Sequence, residues 1–364
     1  MEKECIVITN PMIAANKSAQ VTLSKFLRVI SACYDRITVI GGNITVDSDL
    51  EQINVVSVPI QRSPGKIKRA LDIFLLQVKM ARYTVKYTKK KLPVYFWTGD
   101  KMLIPYWAAH SRKGDIRYFL YGNVTKEGSP SRFRQLSGKL IAYMANHANS
   151  ICVESPGVLR EWEGMITPRE PRVIHLYTNA EGVSCDRRPD QRIGMLCRLT
   201  EGKHVLESIR TFAEFHKTHG DYSLEIIGSG KQEQVCKELI EALEAQSYIH
   251  MLGWIDHENV MKKTASWQYL LFPTDTEGMP NSVIEMMSMG IPVIASPVGG
   301  IPDIIDHGRN GWLMKGSGEE DILSALHDAV SCTENYQSMS AAARKEIGHK
   351  FSLENAQITA KNSV

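Results

Sequence analysis

Two carboxylates that could bind a ligand, Glu277 and Glu285, stand eight positions apart directly after an apolar, strand-like run. Pro280 suits the first position of a helix, so the residues before it are expected to form a turn. The free amide groups of such a turn point beyond the end of the strand, where they can bind an anion or sugar oxygens. The binding candidates between the two carboxylates are Gly278, Met279, Pro280 and Asn281.

Glu285 is the only charged side chain from Gly278 to Pro302, and apolar residues flank it on the predicted helix. These surroundings predict burial, and a buried carboxylate must accept hydrogen bonds because an unpaired buried charge is too costly to persist. Ligand hydroxyl groups are good donors for it. The alternatives are a solvated position on the helix or hydrogen bonds from backbone amides.

Two cations follow an earlier strand-like run, with Arg198 at its end and Lys203 at the start of the next predicted helix. The helix dipole disfavours a cation in the first turn by about 0.3–1 kcal/mol, so an anion bound between the two explains their placement. A diphosphate fits this pattern. The alternative is a surface ion pair between Lys203 and Glu201 or Glu207.

Gly228 and Gly230 flank Ser229 in a strand-to-helix turn that would admit a ligand closely. The third glycine of a dinucleotide-binding fingerprint is absent, because Glu233 occupies its position. The turn alone is more typical of a plain connection than of a nucleotide contact.

Strand-like and helix-like runs alternate from Arg192 to Ala295, which predicts a parallel sheet covered by helices on both faces. The same alternation is present from Cys5 to Val153. The stretch Met165–Pro189 contains three prolines and few periodic positions, so it is the predicted junction. The predicted fold class is α/β, with an N-terminal domain at 1–175, a linker at 176–190, a C-terminal domain at 191–348 and a terminal helix at 349–364 that could pack back on the N-terminal domain.

Taken together, the motifs of the C-terminal half resemble, in order and spacing, those of the retaining glycosyltransferases of family 4 (glycosyl transferases group 1). The motifs are Arg198…Lys203, Gly228-Ser229-Gly230, Leu252-Gly253-Trp254, Glu277…Glu285, Gly290-Ile291-Pro292, Gly299-Gly300-Ile301-Pro302 and Gly308…Asn310-Gly311. The resemblance covers about residues 190–330 and extends only weakly to the first 185. It implies the GT-B fold, in which two Rossmann-like doubly wound domains face each other across a cleft.

The resemblance implies a nucleotide-diphosphate-sugar donor, a UDP- or GDP-sugar, and a lipid-linked or cell-surface polysaccharide or glycoconjugate precursor as acceptor. By analogy Arg198 and Lys203 neutralise the diphosphate, Glu285 binds the ribose, and Glu277 with the Gly278 and Met279 amides holds the transferred sugar. The family transfers hexose-type sugars with retention, and front-face attack requires no protein nucleophile. Stabilisation of the departing diphosphate is then the main catalytic task.

The N-terminal half departs from the family pattern at two places. Many members have a Gly-Gly loop after the first strand, where this chain has the glycine-free loop Asn10–Ser18, which contains Lys17. Many have a His-Gly after a central strand, where this chain has Tyr121-Gly122-Asn123. The acceptor-side candidates are therefore Tyr121, Asn123 and Lys17. Two alternative functions stay open: a sugar-nucleotide-binding subunit with weak or no catalysis, and a sugar-nucleotide epimerase of the same fold.

The net charge of +3 conceals an uneven distribution, because residues 1–185 carry 26 Lys and Arg against 15 Asp and Glu. On the predicted helix from Lys66 to about Lys90, a basic arc runs beside an apolar stripe. This pattern is typical of helices that dock on anionic lipid, and a core-facing helix with a solvated basic side is the alternative. The apolar stripe is Ile67, Ala70, Phe74, Val78, Ala81 and Val85. The membrane-contact candidates are Lys79, Arg82, Lys86, Lys89 and Lys90.

The composition, with 43% hydrophobic and 23% charged residues, excludes collagen-like, coiled-coil and wholly disordered chains. No apolar run is long enough to span a bilayer and no signal-peptide core follows Met1, so we expect a cytoplasmic protein that docks on the inner face of the cytoplasmic membrane. Seven scattered cysteines predict reduced thiols. Nucleic acid is not an expected partner, because aromatic residues do not interleave with the basic ones.

No metal and no other cofactor is expected. Asp47-Ser48-Asp49 does spell the Asp-x-Asp of metal-dependent sugar transferases. It lies in a predicted polar loop, where a surface turn is the simpler interpretation. Because Arg198 and Lys203 already supply positive charge, we expect transfer without a metal ion.

Overall fold

The computed structural model describes residues 2–12, 17–46, 49–61, 63–97, 102–129, 131–178, 190–331 and 335–364. The chain divides into two compact units. Unit 1 comprises Met1–Tyr121, Arg132–Tyr177 and Leu353–Val364, and unit 2 comprises Gly122–Ser131 and Thr178–Ser352. Over the described residues, the chain therefore passes from one unit to the other at four places.

Within its described residues, unit 1 is built on a parallel sheet of seven strands in the order β3-β2-β1-β4-β5-β6-β7. The strands are β1 (Glu4–Thr9), β2 (Arg36–Gly42), β3 (Ile53–Val58), β4 (Pro93–Trp97), β5 (Asp115–Leu120), β6 (Ser150–Val153) and β7 (Arg172–Val173). The central strands are apolar along their length because helices cover both faces of a parallel sheet.

The helices of unit 1 are α1 (Lys17–Ile30), α2 (Lys66–Tyr87), α3 (Leu103–Ser111), α4 (Arg132–His147), α5 (Val158–Glu161) and α12 (Leu353–Ser363). The connection from β1 to β2 moves toward the β3 edge of the sheet. The connections from β3 to β4, from β4 to β5 and from β5 to β6 all move toward the β7 edge. Right-handed crossovers therefore place α2, α3 and α4 together on the face opposite α1. The rings of Trp107 in α3 and Tyr143 in α4 are in contact, as this layer requires.

Within its described residues, unit 2 has a parallel sheet of six strands in the order β10-β9-β8-β11-β12-β13. The strands are β8 (Arg192–Leu196), β9 (Ser223–Ile227), β10 (Ile249–Gly253), β11 (Tyr269–Phe272), β12 (Val293–Ala295) and β13 (Gly311–Leu313). The helices are α6 (Val205–His216), α7 (Glu233–Ala242), α8 (His257–Thr264), α9 (Asn281–Ser288), α10 (Glu319–Ser331) and α11 (Tyr336–Lys350). Two buried apolar clusters, one on each side of the sheet, form its core.

One part of the chain lies outside the sequence-based domain limits, and the terminal helix lies where the sequence suggested that it could. The segment Gly122–Ser131 falls inside the predicted N-terminal domain at 1–175 but makes its contacts in unit 2. The terminal helix α12 belongs to unit 1, where it packs on α1. Both assignments depend on contacts between residues that are distant in sequence, which local patterns do not report.

Candidate functional site

The candidate residues of unit 2 gather in the loops at the carboxyl ends of neighbouring strands. Arg198 and Lys203 follow β8, and Glu277 follows β11. Because β8 and β11 pair in parallel, their carboxyl-end loops lie side by side at the same edge of the sheet. This edge is where doubly wound α/β domains bind ligands.

Lys203 is buried and paired with Glu277. Its ammonium group donates hydrogen bonds to Glu277 Oε1 and, at 3.0 Å, to Thr274 Oγ1. It also lies 5.1 Å from the centre of the Phe272 ring. The pairing with Glu201 or Glu207 that the sequence left open is therefore not the contact that the structure makes.

The start of the helix near Lys203 differs from the prediction. Glu201–Lys203 forms a short 3-10 turn, His204 adopts the left-handed conformation with φ 46°, and α6 begins at Val205. The backbone reversal at His204 ends the 3-10 turn before the helix begins. Lys203 is consequently directed toward the loop after β11 rather than standing in the first turn of α6.

Glu285 lies on α9 with 6% of its surface exposed, in agreement with its apolar surroundings in sequence. Pro280 is not the first helical residue, because its backbone is extended with φ −72° and ψ 120° and the helix begins at Asn281. Pro280 accepts the first helical hydrogen bonds from Val283 and Ile284. Arg198 is exposed at the end of β8, where its guanidinium is accessible to a ligand.

Three glycines allow the loops around this site to approach one another closely. A Cβ atom on Gly228, which has φ +145°, would lie 1.9 Å from Cys197 O, and one on Gly230 would lie 2.2 Å from Leu199 O. A Cβ atom on Gly299 would lie 1.9 Å from Glu277 O. Side chains at these positions would force the loops apart. The Gly228-Ser229-Gly230 turn thus holds the loop after β8 in place.

The cysteine beside the site, Cys197, has an unreactive thiol. Burial raises the pKa of the Cys197 thiol to about 12, although the charge of Lys203 acts in the opposite direction. The thiolate is the nucleophilic form of cysteine, and at neutral pH this thiol stays protonated. Cys197 therefore serves packing rather than covalent catalysis.

The sequence-based interpretation missed Asp275 and His204. Asp275 Oδ1 is 2.5 Å from His204 Nε2, and its Oδ2 accepts a hydrogen bond from Gly128 N at 2.6 Å. The available signal was weak: Asp275 lies two residues before Glu277 and His204 follows Lys203. Nothing local pointed to Gly128, which is 147 positions away from its partner.

The structure describes the side chains of two of the three acceptor-side candidates. Tyr121 lies in unit 1, where its ring stacks near Phe119 and burial raises the pKa of its phenol well above the usual range. Asn123 is buried in unit 2, and its side-chain oxygen accepts hydrogen bonds from the Thr125 amide and hydroxyl. Lys17 is the first residue of α1, and its side chain lies outside the described part of the structure.

The apolar stripe predicted on α2 faces away from the core. The residues that α2 buries in unit 1 are Leu76, Met80 and Thr84. At 100° per residue, Ile67, Phe74 and Val85 lie on the opposite side of the helix, and all three are exposed, Ile67 to 88%. The cationic side chains beside this stripe are also exposed: Lys79, Arg82, Lys86, Lys89 and Lys90. The helix ends at Tyr87, earlier than the predicted Lys90.

Two further features of the described residues concern metal binding and membrane crossing. Asp47 and Ser48 lie outside the described residues, and Asp49 faces Arg28 at 3.8 Å. Over the described ranges, no group of three or more His, Cys, Asp or Glu side chains could hold a metal ion. Of the helices in that part of the chain, none combines the length and apolar character needed to cross a bilayer.

Sequence comparison places the site in a known family. Residues 187–346 match the family model described as glycosyl transferases group 1. The chain is 30% identical over 131 residues to an uncharacterized glycosyltransferase of Haemophilus influenzae and 29% identical over 141 residues to the amylovoran biosynthesis glycosyltransferase AmsK of Erwinia amylovora. These alignments cover 35% and 37% of this chain but only 36% and 34% of those proteins, about a third of their length.

Structural comparison extends the similarity to the whole chain. The crystal structure of Anabaena Alr3699/HepE in complex with UDP has a TM-score of 0.71 over 99% of both chains, at 18% identity. Similarity at this level of identity shows the fold, and it confirms the predicted pair of Rossmann-like α/β domains. Residues 187–346 are similar in sequence to the glycosyl transferases group 1 family, and the whole chain has the two-Rossmann GT-B fold.

Proposed function

We propose that the protein is a retaining glycosyltransferase that moves a hexose-type sugar from a nucleotide-diphosphate-sugar to a polysaccharide or glycoconjugate precursor. The observation that carries this proposal is the buried Lys203–Glu277 pair at the carboxyl ends of β8 and β11. The pair places a cation for the diphosphate next to a carboxylate for sugar hydroxyls. Glu285, buried on α9 eight residues after Glu277, is the candidate for the ribose.

The chemistry follows from where the charge develops. As the bond from the sugar to the diphosphate breaks, negative charge accumulates on the diphosphate, and Arg198 and Lys203 stabilise it. A donor phosphate oxygen takes the proton from the acceptor hydroxyl, which attacks the same face of the sugar that the diphosphate leaves. The configuration at the anomeric carbon is retained. The two cations provide the charge for the leaving group, and we propose transfer without a metal ion.

A UDP-sugar is the donor that we favour, since UDP is bound in the HepE crystal structure with the same fold. The name of the amylovoran biosynthesis relative supports a polysaccharide precursor as the acceptor. Both points come from other proteins, so the nucleotide and the acceptor are the first properties to measure. Thermal stabilisation by UDP-, GDP- and ADP-sugars identifies the nucleotide, because a ligand at about 100 times its dissociation constant adds roughly 2.7 kcal/mol.

We also propose that the acceptor is lipid-linked and that unit 1 docks on an anionic membrane surface. The exposed apolar stripe of α2 and the cations beside it match such a surface in both polarity and charge. A second exposed apolar pair, Phe133 and Leu136, lies in the first turns of α4 between Arg132 and Lys139. Because α2 and α4 both begin at the carboxyl edge of the sheet and lie on the same face of it, we propose that both helices contribute apolar side chains to lipid contact.

The test of the catalytic assignment compares wild type with Glu277→Gln and Arg198→Ala. Transfer and donor hydrolysis are measured with the nucleotide sugar that stabilises the protein most. We expect each variant to lose about 100-fold or more in turnover, because each group acts on the reacting sugar or the departing charge. Exposed Glu241 on α7 provides the matched control Glu241→Gln, which should retain full activity.

Three results would point to other conclusions. Unchanged turnover in both variants would remove the site assignment. Donor affinity without turnover in any acceptor extract would identify a sugar-nucleotide-binding subunit, the alternative that Tyr121 in place of the usual histidine favours. An epimerised donor without release of free nucleotide would identify an epimerase.

A further inference from the structure

The segment Gly122–Ser129 lies against the loops of unit 2, although β5 before it and α4 after it belong to unit 1. A Cβ atom on Gly122 would lie 2.5 Å from Thr276 Oγ1 and 2.8 Å from Glu277 N. Real Cβ atoms essentially never approach so closely, so a larger residue would have to push the two chain segments apart. Gly122 therefore rests directly on the backbone of Glu277.

The backbone of Glu277 is confined from two sides. Gly122 contacts its amide, and Gly299 approaches its carbonyl so closely that a Cβ atom there would lie 1.9 Å from Glu277 O. Gly278 O in addition accepts a hydrogen bond from Gly300 N at 2.8 Å. The direction of the Glu277 carboxylate thus depends on both neighbouring segments staying in place.

Asp275 ties the Gly122–Ser129 segment to the loop after β8. Its Oδ1 faces His204 Nε2 at 2.5 Å, its Oδ2 accepts from Gly128 N at 2.6 Å, and its own amide donates to Gly202 O at 3.1 Å. The carboxylate is largely shielded, with 19% of the side chain exposed. Hydrogen bonds to an ionised acceptor are about twice as strong as neutral ones, so this one side chain can hold both segments.

Residues 201–202 make a second connection to the same segment. Ser129 Oγ donates a hydrogen bond to Glu201 Oε1. A Cβ atom on Gly202 would lie 2.8 Å from Glu127 Cγ and 3.4 Å from Gly128 N. The segment consequently packs on the 3-10 turn that carries Lys203 as well as on the loop that carries Glu277.

We propose that Asp275, supported by His204, is a positioning residue that clamps the Gly122–Ser129 segment onto the backbone of Glu277. The inference rests on the proposed function, because it gives Glu277 the role of holding the transferred sugar. Asp275 itself acts through the two segments that it joins. Misplacement of a substrate-positioning group by about 1 Å can cost 100-fold in rate, so loss of the clamp should lower turnover while leaving the nucleotide site intact.

The experiment uses Asp275→Asn, His204→Asn and Gly122→Ala in the full chain. Asparagine is chosen at His204 because it tolerates the left-handed backbone that this residue adopts. Hydrogen–deuterium exchange of peptides covering residues 122–129 reports the Gly128 hydrogen bond directly. Transfer kinetics and calorimetric titration with UDP then separate turnover from nucleotide binding.

We expect Asp275→Asn and Gly122→Ala to speed exchange in this peptide by about fivefold or more and to lower kcat by about 10- to 100-fold. The dissociation constant for UDP should stay within about threefold, because Arg198, Lys203 and Glu285 are unchanged. The controls are Asp221→Asn and Gly220→Ala in the turn before β9, where Asp221 is exposed and a Cβ atom on Gly220 would meet nothing closer than 3.8 Å. Both should match wild type.

Exchange at the wild-type rate in both Asp275→Asn and Gly122→Ala would overturn the clamp. So would a parallel loss of kcat and UDP affinity, which indicates general damage to unit 2. If Asp275→Asn does not fold, His204→Asn and Gly122→Ala provide the same comparison. Hydrogen–deuterium exchange can be measured without any sugar transfer. A wild-type protein that transfers no sugar would therefore contradict the proposed function, and the exchange rates of the variants would still test the clamp.

Discussion

At the scale of single residues, the group assigned to the diphosphate and the group assigned to the sugar are hydrogen-bonded to each other. Lys203 donates to Glu277 and to Thr274, and it is buried. A diphosphate that reaches Lys203 must compete with Glu277 for its protons. Binding of the donor would then free Glu277 at the moment when the sugar arrives, which couples the two halves of donor recognition.

This competition predicts opposite effects of two substitutions on nucleotide affinity. Glu277→Gln removes the competing charge, so UDP should bind about two- to tenfold more tightly, while Lys203→Met removes a phosphate partner and should weaken binding by about tenfold or more. Isothermal titration with UDP measures both, and Glu241→Gln is the control. Weaker UDP binding in Glu277→Gln, similar to that in Lys203→Met, would contradict the competition.

The sequence pointed to Lys203, Glu277 and Glu285 as candidates but not to the contact between Lys203 and Glu277. Their types and their places after strand-like runs were sufficient to predict a ligand site. The Lys203–Glu277 bond depends on β8 and β11 being neighbours in the sheet. In the chain, 72 residues (197–268), which include β9 and β10, lie between these two strands. Asp275 and Gly128 were missed for the same reason, since their partnership exists only after folding.

At the scale of elements, the turn after β9 is the feature on which the loop after β8 depends. Gly228 donates its amide hydrogen to Gly253 O at 2.8 Å, and Leu199 donates to Ser229 O at 3.0 Å. The alternation of strands and helices in both units was predicted, because β-branched runs and helical periodicity are local signals. The start of α6 and the buried face of α2 were not, because a left-handed histidine and the choice of packing partner are set by tertiary contacts.

We predict that Gly228→Ala destabilises the protein while Gly220→Ala does not. A Cβ atom at position 228 would lie 1.9 Å from Cys197 O at φ +145°, whereas one at position 220 would meet only His216 O at 3.8 Å. The first change should lower the free energy of unfolding by about 2–3 kcal/mol, and the second should stay within about 0.5 kcal/mol. Urea unfolding of both variants measures these free energies. Equal unfolding midpoints for the two variants would contradict the prediction, because they would show that the turn accommodates a Cβ atom without loss of stability.

At the scale of the whole molecule, positive charge and uncovered apolar surface occur in the same layer of unit 1. Helices α2, α3 and α4 contain nine Lys and Arg and one acidic residue, Asp72. The uneven charge was evident in the sequence, but the exposure of the apolar stripe was not. Periodicity shows that a helix has an apolar side and leaves open whether that side meets the core or the surroundings.

We predict that the protein sediments with vesicles of phosphatidylglycerol and phosphatidylcholine and that salt weakens this binding. Lys79→Gln with Arg82→Gln should reduce binding by about tenfold or more, since each cation near the surface contributes about 1 kcal/mol. Phe74→Ser should reduce it by removing apolar contact. Val235→Ser, at an exposed position of α7 in unit 2, is the control. If the fraction of protein that sediments with vesicles changes with neither the salt concentration nor the phosphatidylglycerol content, the α2 surface is not an anionic-lipid docking site.

The position of α12 has a practical consequence for recombining this chain with its relatives. Ala356 and Ala360 are fully buried in the core of unit 1, Gln357 donates to Arg28 O at 3.1 Å, and Ser363 donates to Val173 O at 2.7 Å. A hybrid chain with a single junction between the two halves would take this helix from the parent that does not supply the rest of unit 1. Exchange of unit 1 between relatives therefore requires two junctions, so that residues 353–364 are transferred with the unit they complete.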